Sequence, residues 1–355
     1  MAPDPSTRPA FSEEDVRRLV RRRYDLDVRA RALPGYSDQN FRLRTEEGKE
    51  YVLKIAHAAE DPAALAFQQA ALAHLAARRL PFRTPRVRPT RTGALLTTVS
   101  GASGLRHSVW MVAFLPGRPF AEATPHAPAL LRSLGRAFGL LDEALEPFTH
   151  PAMRRTLVWD LRRYAGLYDR LGDLPTPARR TLVEGYLRRF EAGVAPLLPS
   201  LRQSVIHNDG NDYNVLVAAG PSGEKTVSGL IDFGDMVRTY TAAELAVAAA
   251  YAMFDRDDLL GAAAHVAAGY HAAYPLTEVE LRALFGLITM RLCTSVCLSA
   301  RARRQAPDNA YLGVSEAAAW DALERLASVS FAEAEDVFRR ACPVPKRTSP
   351  PRGDA

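Results

Sequence analysis

The sequence predicts an α+β protein of two unequal lobes, the first built on strands and the second mainly helical. Three observations predict it. Strand-like runs crowd into the first third of the chain. Ala/Leu/Arg-rich helical segments fill most of it from about Leu130 onward. A length of 355 residues, 47% apolar and 24% charged, suffices to bury a core in each lobe. Residues 11–24 read as a leading helix on which Val16, Leu19 and Val20 alternate with Arg17, Arg18, Arg21, Arg22 and Arg23. Strands are expected at about 28–33, 40–45, 51–56, 95–100 and 108–114, around a helix at 62–79 with Leu65, Leu72 and Leu75 on its apolar side. Helices follow at about 128–145, 157–171, 177–195, 240–253, 256–273, 277–303 and 315–339, and Thr277–Glu280 after Pro275 has the pattern of a capping box. The boundaries implied are a disordered start at 1–10, a first lobe at 11–114, a second at 115–342 and a disordered tail at 343–355. That tail holds Pro, Lys, Arg, Ser and Gly with nothing to bury.

A strand-rich stretch that interrupts the helices carries the chemistry. Residues 205–217 read Val-Ile-His-Asn-Asp-Gly-Asn-Asp-Tyr-Asn-Val-Leu-Val, in which His207, Asp209 and Asn214 have the H-x-D-x-x-x-x-N spacing of a kinase catalytic loop. Asp232-Phe233-Gly234 follows an apolar run, 23 residues after Asp209 (232 − 209). Asn and Asp are also ordinary turn residues, so either motif alone is weak; the pair in this order specifies phosphoryl transfer. That reaction needs alignment of oxygens and neutralisation of phosphate charge. Asp209 suits the acceptor of the incoming hydroxyl's proton. Magnesium takes hard oxygen ligands and keeps several waters, so the Asp232 carboxylate and the Asn214 amide oxygen suffice to hold it. Val205-Ile206, Val215–Val217 and Val227–Ile231 read as short strands, the last two joined through Gly220-Pro221-Ser222-Gly223, and such a hairpin brings Asn214 and Asp232 together. His207 reads as a structural hydrogen-bonding residue rather than a proton carrier.

A cation for the donor phosphates is expected on a strand of the first lobe. Of 46 Lys and Arg residues only four are Lys: Lys49, Lys54, Lys225 and Lys346. Lys54 alone lies in an apolar run, Tyr51–Ala56, where a compact point charge is the reason to depart from Arg. Upstream, the turn-rich Leu33–Leu43 places backbone amides and Ser37 where they can cover phosphates. On the helix after Lys54, Gln68 stands where a Glu partner is expected, and it is assigned as the partner of Lys54. Trp110–Gly117 reads as a buried strand ending in a break, with the backbone of Ala113 and Leu115 positioned for a nucleobase.

Other features bound the function. The net charge is +6 and the pI about 9.3, but the basic residues are scattered apart from the 17–23 cluster. That cluster reads as a solvated helix face without interleaved aromatics, so no nucleic-acid partner is expected. Met1–Ala10 has no apolar core of a secretory signal. The apolar stretch Ala242–Phe254 contains Glu244 and is too short to span a bilayer, so no membrane partner is expected. Three cysteines, without a C-x-x-C pair, point to a reduced cytoplasmic setting, with Cys293 and Cys297 one helical turn apart as core residues.

The residues quoted resemble the aminoglycoside phosphotransferase/choline kinase superfamily, and more closely its hydroxylysine kinase-like branch. The resemblance rests on Leu33–Leu43, Tyr51–Ala56, Phe67–Leu75, Phe114–Pro119, Val205–Val217 and Gly229–Thr241, and covers most of 11–340. It implies a two-lobed protein-kinase-like fold and transfer of the γ-phosphate of ATP or GTP to a hydroxyl of a small amino compound. In the named branch the acceptor is 5-hydroxylysine and the donor GTP. It implies Asp209 as base, Asn214 and Asp232 as Mg2+ ligands and Lys54 as phosphate clamp, while Gln68 departs from the superfamily's Glu. A cationic amino-acid acceptor needs carboxylates near Asp209, for which Asp212, Asp235 and Glu244 are candidates, and a cation for its own carboxylate, for which Arg238 is a candidate. Aminoglycoside, homoserine and choline-type kinases are the alternatives within the enzyme class. A catalytically silent pseudokinase is the alternative outside it, favoured only by Gln68.

Overall fold

The structure is a computed structural model that describes residues 7–35, 38–220, 223–305 and 315–343. Ser12 opens the first helix, α1 (Glu13–Tyr24), with a capping box: its hydroxyl accepts from the Asp15 N–H at 3.1 Å and its own N–H reaches the Asp15 carboxylate at 3.0 Å. Strands β1 (Val28–Leu33), β2 (Gln39–Thr45) and β3 (Glu50–Ile55) follow, then helix α2 (Pro62–Ala76), then β4 (Val87–Arg88), β5 (Thr97–Ser100) and β6 (Arg106–Ala113). They form one antiparallel sheet in the order β1-β2-β3-β6-β4, with β5 also on β6.

Alternation decides which side chain goes where. Tyr51, Leu53 and Ile55 of β3, with Phe41, Leu43, Val109 and Met111, form a small core against Val16, Leu19, Val20 and Tyr24 of α1. The intervening Lys54 therefore faces the other side, beside its β6 neighbour Trp110, whose ring lies 5.6 Å from Nζ. On that side Trp110 and Val112 join Phe67, Ala71, Leu72 and Leu75 of α2 in a large core continuous with the second lobe.

The second lobe contains α3 (Pro128–Leu145), a 3₁₀ segment at Leu161–Asp173, α4 (Pro177–Gly193), α5 (Ala242–Ala252), α6 (Leu259–Ala273), α7 (Glu278–Gln305), α8 (Glu316–Leu326) and α9 (Phe331–Ala341). Helices α3 and α6 touch backbone to backbone through glycine. A Cβ on Gly135 would sit 1.8 Å from the Val266 carbonyl oxygen, and one on Gly269 2.0 Å from that of Arg132. Short strands β7 (Arg118–Pro119), β8 (Gln203–Ile206), β9 (Val215–Ala219), β10 (Lys225–Leu230) and β11 (Val237–Tyr240) make two small sheets, β10-β9-β7 and β11-β8.

Two expected helices differ. The stretch at 157–171 is 3₁₀ from Leu161, capped by Asp160 and kinked at Arg163 (φ −98°). The single helix expected at 315–339 is two, because Ser330 starts α9 by accepting from the Glu333 N–H. The capping box at Thr277 is present, its N–H reaching Glu280 Oε2 at 2.9 Å and the Glu280 N–H reaching Thr277 Oγ1 at 3.3 Å. Among the described residues one helix, α7, is long and apolar enough to cross a membrane; 89% of its most apolar window is buried inside the protein, so core packing accounts for that composition.

Candidate active site

The loop after β8 joins strands of different sheets and is held from below. Asn208 takes a left-handed conformation (φ 66°), which Asn tolerates better than most residues. The N–H groups of His207 and Asn208 both donate to Glu244 Oε2, the latter at 3.3 Å, from fully buried Glu244 on α5. His207 Nδ1 accepts from the Asp209 N–H (3.2 Å), so its protonated Nε2 donates to the Ile231 carbonyl (2.9 Å). Burial pushes this histidine down to about 4, which keeps it neutral in that one tautomer. It is the structural residue expected from the sequence. Gly210 rests on Phe138, where a Cβ would lie 2.5 Å from the ring.

This scaffold fixes Asp209. Its Oδ1 accepts from Arg291 Nη2 (3.2 Å) and Asn211 Nδ2 (3.1 Å), and its Oδ2 from Asn211 Nδ2 (3.1 Å) and Asn214 Nδ2 (2.7 Å). Burial, with the carboxylates of Asp235 and Asp232 nearby, pushes Asp209 up to about 8 against the opposing pull of Arg291. Strands β9 and β10 pair as a hairpin, while Pro221 and Ser222 of the expected turn lie outside the described residues. The Ile231 N–H bonds the Asn214 carbonyl at 2.9 Å, and Asp232 follows at once in a left-handed conformation (φ 59°). Lys54 Nζ donates to Asp232 Oδ1 at 2.9 Å. Burial pulls the Lys54 ammonium down, but the Asp232 carboxylate, with those of Asp38 and Asp235, more than offsets this and leaves it above its ordinary value. The same lysine holds Asp232 below the usual carboxylate range.

These groups share a cleft of about 480 Å³ whose walls include Lys54, Gln68, Asp209, Asn214, Asp232 and Asp235. Asp232 and Asn214 would be the residues to hold a divalent cation here. The Asp232 side chain is 49% exposed, and Asn214 spends its amide N–H on Asp209, which leaves its oxygen without a partner among the described residues. Among the described residues no cluster of three or more His, Cys, Asp or Glu suits a metal, so an ion held here depends on phosphate and water oxygens for the rest of its shell.

Several sequence assignments change. Gln68 lines the cleft but makes no hydrogen bond to Lys54; the partner is Asp232, because the lysine on β3 points across the cleft rather than back to α2. The Ala113 N–H is committed to the Arg86 carbonyl (2.9 Å), so it is not free for a nucleobase. Neither Ala113 nor Leu115 lines the cleft around Lys54, and the Leu115 side chain instead lies against Gly229. Ser37 lies outside the described residues. Asp212 and Asp235 do line the cleft, and burial pushes Asp212 up to about 6. Glu244 does not: it is the buried brace of the catalytic loop. Arg238, on β11, bonds the backbone and side chain of Gln203 away from the cleft, since strand alternation turns it outward while Val237 and Thr239 are buried. Arg17, Arg18, Arg21 and Arg22 of α1 line a separate, open hollow of about 1070 Å³, and three of them pair locally, Arg17 with Glu14, Arg18 with Asp15 and Arg21 with Asp27.

The structure also adds residues that the motifs did not indicate. Arg291 of α7 is 1% exposed and lies over the rings of Trp159 (4.5 Å) and Tyr251 (5.5 Å) while bonding Asp209. Its signal was a lone charge inside the apolar run 283–297. Arg155 donates to the Gly234 carbonyl (3.0 Å) and approaches Glu60 at 3.6 Å, so it ties the loop after β10 to the first lobe. Nothing local in the sequence marks it.

Comparison with known proteins agrees with the geometry. The model of the phosphotransferase enzyme family matches residues 29–281. The hydroxylysine kinase of Mus musculus is 32% identical over 354 residues, 94% of each chain. The homoserine kinase of Acidiphilium cryptum is 29% identical over 254 residues, 70% of this chain and 73% of that one. Among solved structures, an amicoumacin kinase in complex with AMP-PNP, Ca2+ and amicoumacin superposes with a TM-score of 0.68 at 15% identity, covering 91% of this chain and 97% of the other. The fold is thus that of small-molecule kinases, and the protein is a phosphotransferase acting on hydroxyl groups. By sequence and by architecture, this chain belongs to the phosphotransferase enzyme family.

Proposed function

We propose that the protein transfers the terminal phosphoryl group of ATP or GTP to the side-chain hydroxyl of an amino acid, with 5-hydroxylysine as the best match. The observation that carries this reading is the convergence of Lys54, Asp209, Asn214 and Asp232 on one cleft, from positions spread over 178 residues of sequence. In this reading Asp209 accepts the proton of the attacking hydroxyl as the new O–P bond forms and the nucleoside diphosphate leaves. A carboxyl pushed up to about 8 suits that task, because a base works best with a pKa near the operating pH. Arg291, Asn211 and Asn214 hold its two oxygens, so the carboxylate is aimed before the acceptor arrives. Lys54 turns from Asp232 to the donor phosphates. Asp232 and Asn214 would hold Mg2+, which supplies neutralisation of the charge on those phosphates.

The choice of acceptor rests on charge and on kinship. The hydroxylysine kinase of Mus musculus aligns over 94% of this chain. 5-Hydroxylysine carries two ammonium groups and one carboxylate. Asp212 and Asp235 line the cleft without an ion-pair partner among the described residues, which suits the ammonium groups. The second reading is a homoserine kinase, favoured by the relatives of that name at 29–30% identity. A coupled assay of diphosphate release tests both, with ATP or GTP, magnesium, and 5-hydroxylysine, homoserine, choline or kanamycin. The expected result is the highest kcat/KM with 5-hydroxylysine. No acceptor-dependent release with any of them would sink the proposal.

A further inference from the structure

Beyond Asp209 the cleft continues as a furrow along α7. Its floor is formed by Arg291, Ser295, Leu298 and Ala302, which recur every three to four residues on one helical face. The 3₁₀ segment Leu161–Asp173 packs against the same helix and brings Arg170 into the wall. Val158 and Trp159 line the cleft as well, and Val158 is 39% exposed.

The cations of this cleft are nearly all matched. Lys54 pairs with Asp232 (2.9 Å), Arg291 with Asp209 (3.2 Å), Arg155 with Glu60 (3.6 Å) and Arg301 with Asp173 (3.8 Å). Arg170, half-buried, has neither a hydrogen bond nor a carboxylate partner among the described residues. A second observation points the same way: Arg291, nine-tenths buried and more, leaves Nε and Nη1 without acceptors. The furrow thus runs from one buried guanidinium with unmet donors to a second, half-buried one without a carboxylate partner, and donors in such a setting call for acceptor oxygens.

We propose that the furrow is the subsite for the acceptor's far end and that Arg170 binds the acceptor's carboxylate, which makes it the residue that selects amino acids over amino alcohols. This rests on the kinase reading above and goes beyond it by assigning the carboxylate to a named side chain. Reach agrees. The hydroxyl carbon and the carboxylate carbon of an extended 5-hydroxylysine lie about 5 Å apart, roughly one helical turn. An acceptor with its hydroxyl at Asp209, beside Arg291, therefore brings its carboxylate level with Ser295, one turn further along α7. Arg170 and Ser295 line the same cleft, so the guanidinium and the hydroxyl are the donors available to that carboxylate.

The test compares wild type, Arg170→Met and Arg170→Lys with two probes, 5-hydroxylysine and 1,5-diaminopentan-2-ol, which keeps the hydroxyl and both amines but lacks the carboxylate. Steady-state kinetics and calorimetric binding are measured for each. In Arg170→Met the KM and Kd for 5-hydroxylysine should rise about 10–100-fold, the range for a hydrogen bond to a charged group. Its kcat and nucleotide KM should stay unchanged, which also serves as the control for folding. Arg170→Lys should recover part of the loss. The decarboxylated probe should bind wild type more weakly by a similar factor and lose nothing further in Arg170→Met. Equal losses with both probes, or none with 5-hydroxylysine, overturn the assignment. Absence of any phosphoryl transfer by wild type, with carboxylate-dependent binding that Arg170→Met abolishes, counts against the kinase reading while supporting the subsite.

Discussion

Glu244 offers the sharpest test of the geometry, because motif reasoning made it a substrate contact and the structure makes it a brace. Its Oε2 accepts the N–H groups of His207 and Asn208, and its Oε1 is buried without a partner. Glu244→Gln preserves one acceptor oxygen and removes the ability to ionise. Burial pushes the Glu244 carboxyl up to about 7, against the lowering effect of the two N–H donors and Arg291. A carboxyl raised in this way binds its proton more tightly in the folded than in the unfolded protein. Its favourable contribution is complete below the ordinary value of 4.5 and is lost as the pH rises through about 7. At about 1.4 kcal/mol per tenfold change, the interval between those values is worth up to ~3 kcal/mol. Wild type bears that loss above neutrality and the glutamine variant does not. Thermal melts from pH 5 to 8.5 should therefore show the melting point of Glu244→Gln rising relative to wild type as the pH increases. Glu244→Ala orphans two buried N–H groups and should be destabilised at every pH, by ~1–3 kcal/mol for each. A difference between Glu244→Gln and wild type that does not change with pH would refute the reasoning. A selective rise in acceptor KM without a stability change would return Glu244 to the substrate.

Three further expectations concern the cleft. Asp209→Asn should cut kcat by about 10²–10⁴ while leaving nucleotide affinity in place, the usual contribution of a positioned base; stopped-flow turnover with an unchanged rate removes Asp209 from the mechanism. Asp232→Ala should abolish magnesium-dependent nucleotide binding by calorimetry, as chelation with EDTA should in wild type; normal affinity in the variant means that the ion is held elsewhere. Gly210→Ala places a Cβ 2.5 Å from Phe138 Cζ and should cost ~1–3 kcal/mol by overpacking. Phe138→Leu in the same chain should recover part of that loss, and strict additivity in the double-mutant cycle contradicts the contact.

The candidate site was legible because most of its residues are local. Asp209 and Asn214 sit in one short loop, and Asp232 follows the partner strand of the same hairpin, so their spacing survives in the sequence. Lys54 was legible by composition, as a lone lysine in an apolar strand. The errors came at longer range. Arg238 was the candidate cation for the acceptor's carboxylate, yet strand alternation turns it away from the cleft. Gln68 occupies the expected helix position, yet Lys54 reaches Asp232 instead.

By itself, the order of residues determined that this is a two-lobed phosphotransferase and marked a carboxylate, an amide and a second carboxylate as the candidates for its reacting centre, because turn chemistry and strand periodicity act over a few residues. Only the tertiary structure decided that Arg291 meets Asp209 across 82 residues, that Glu244 braces the loop from α5, and that Arg170 faces the furrow of α7. Those meetings depend on how helices pack against one another. Packing is set by the summed shapes of the buried faces, and no short stretch of sequence records it.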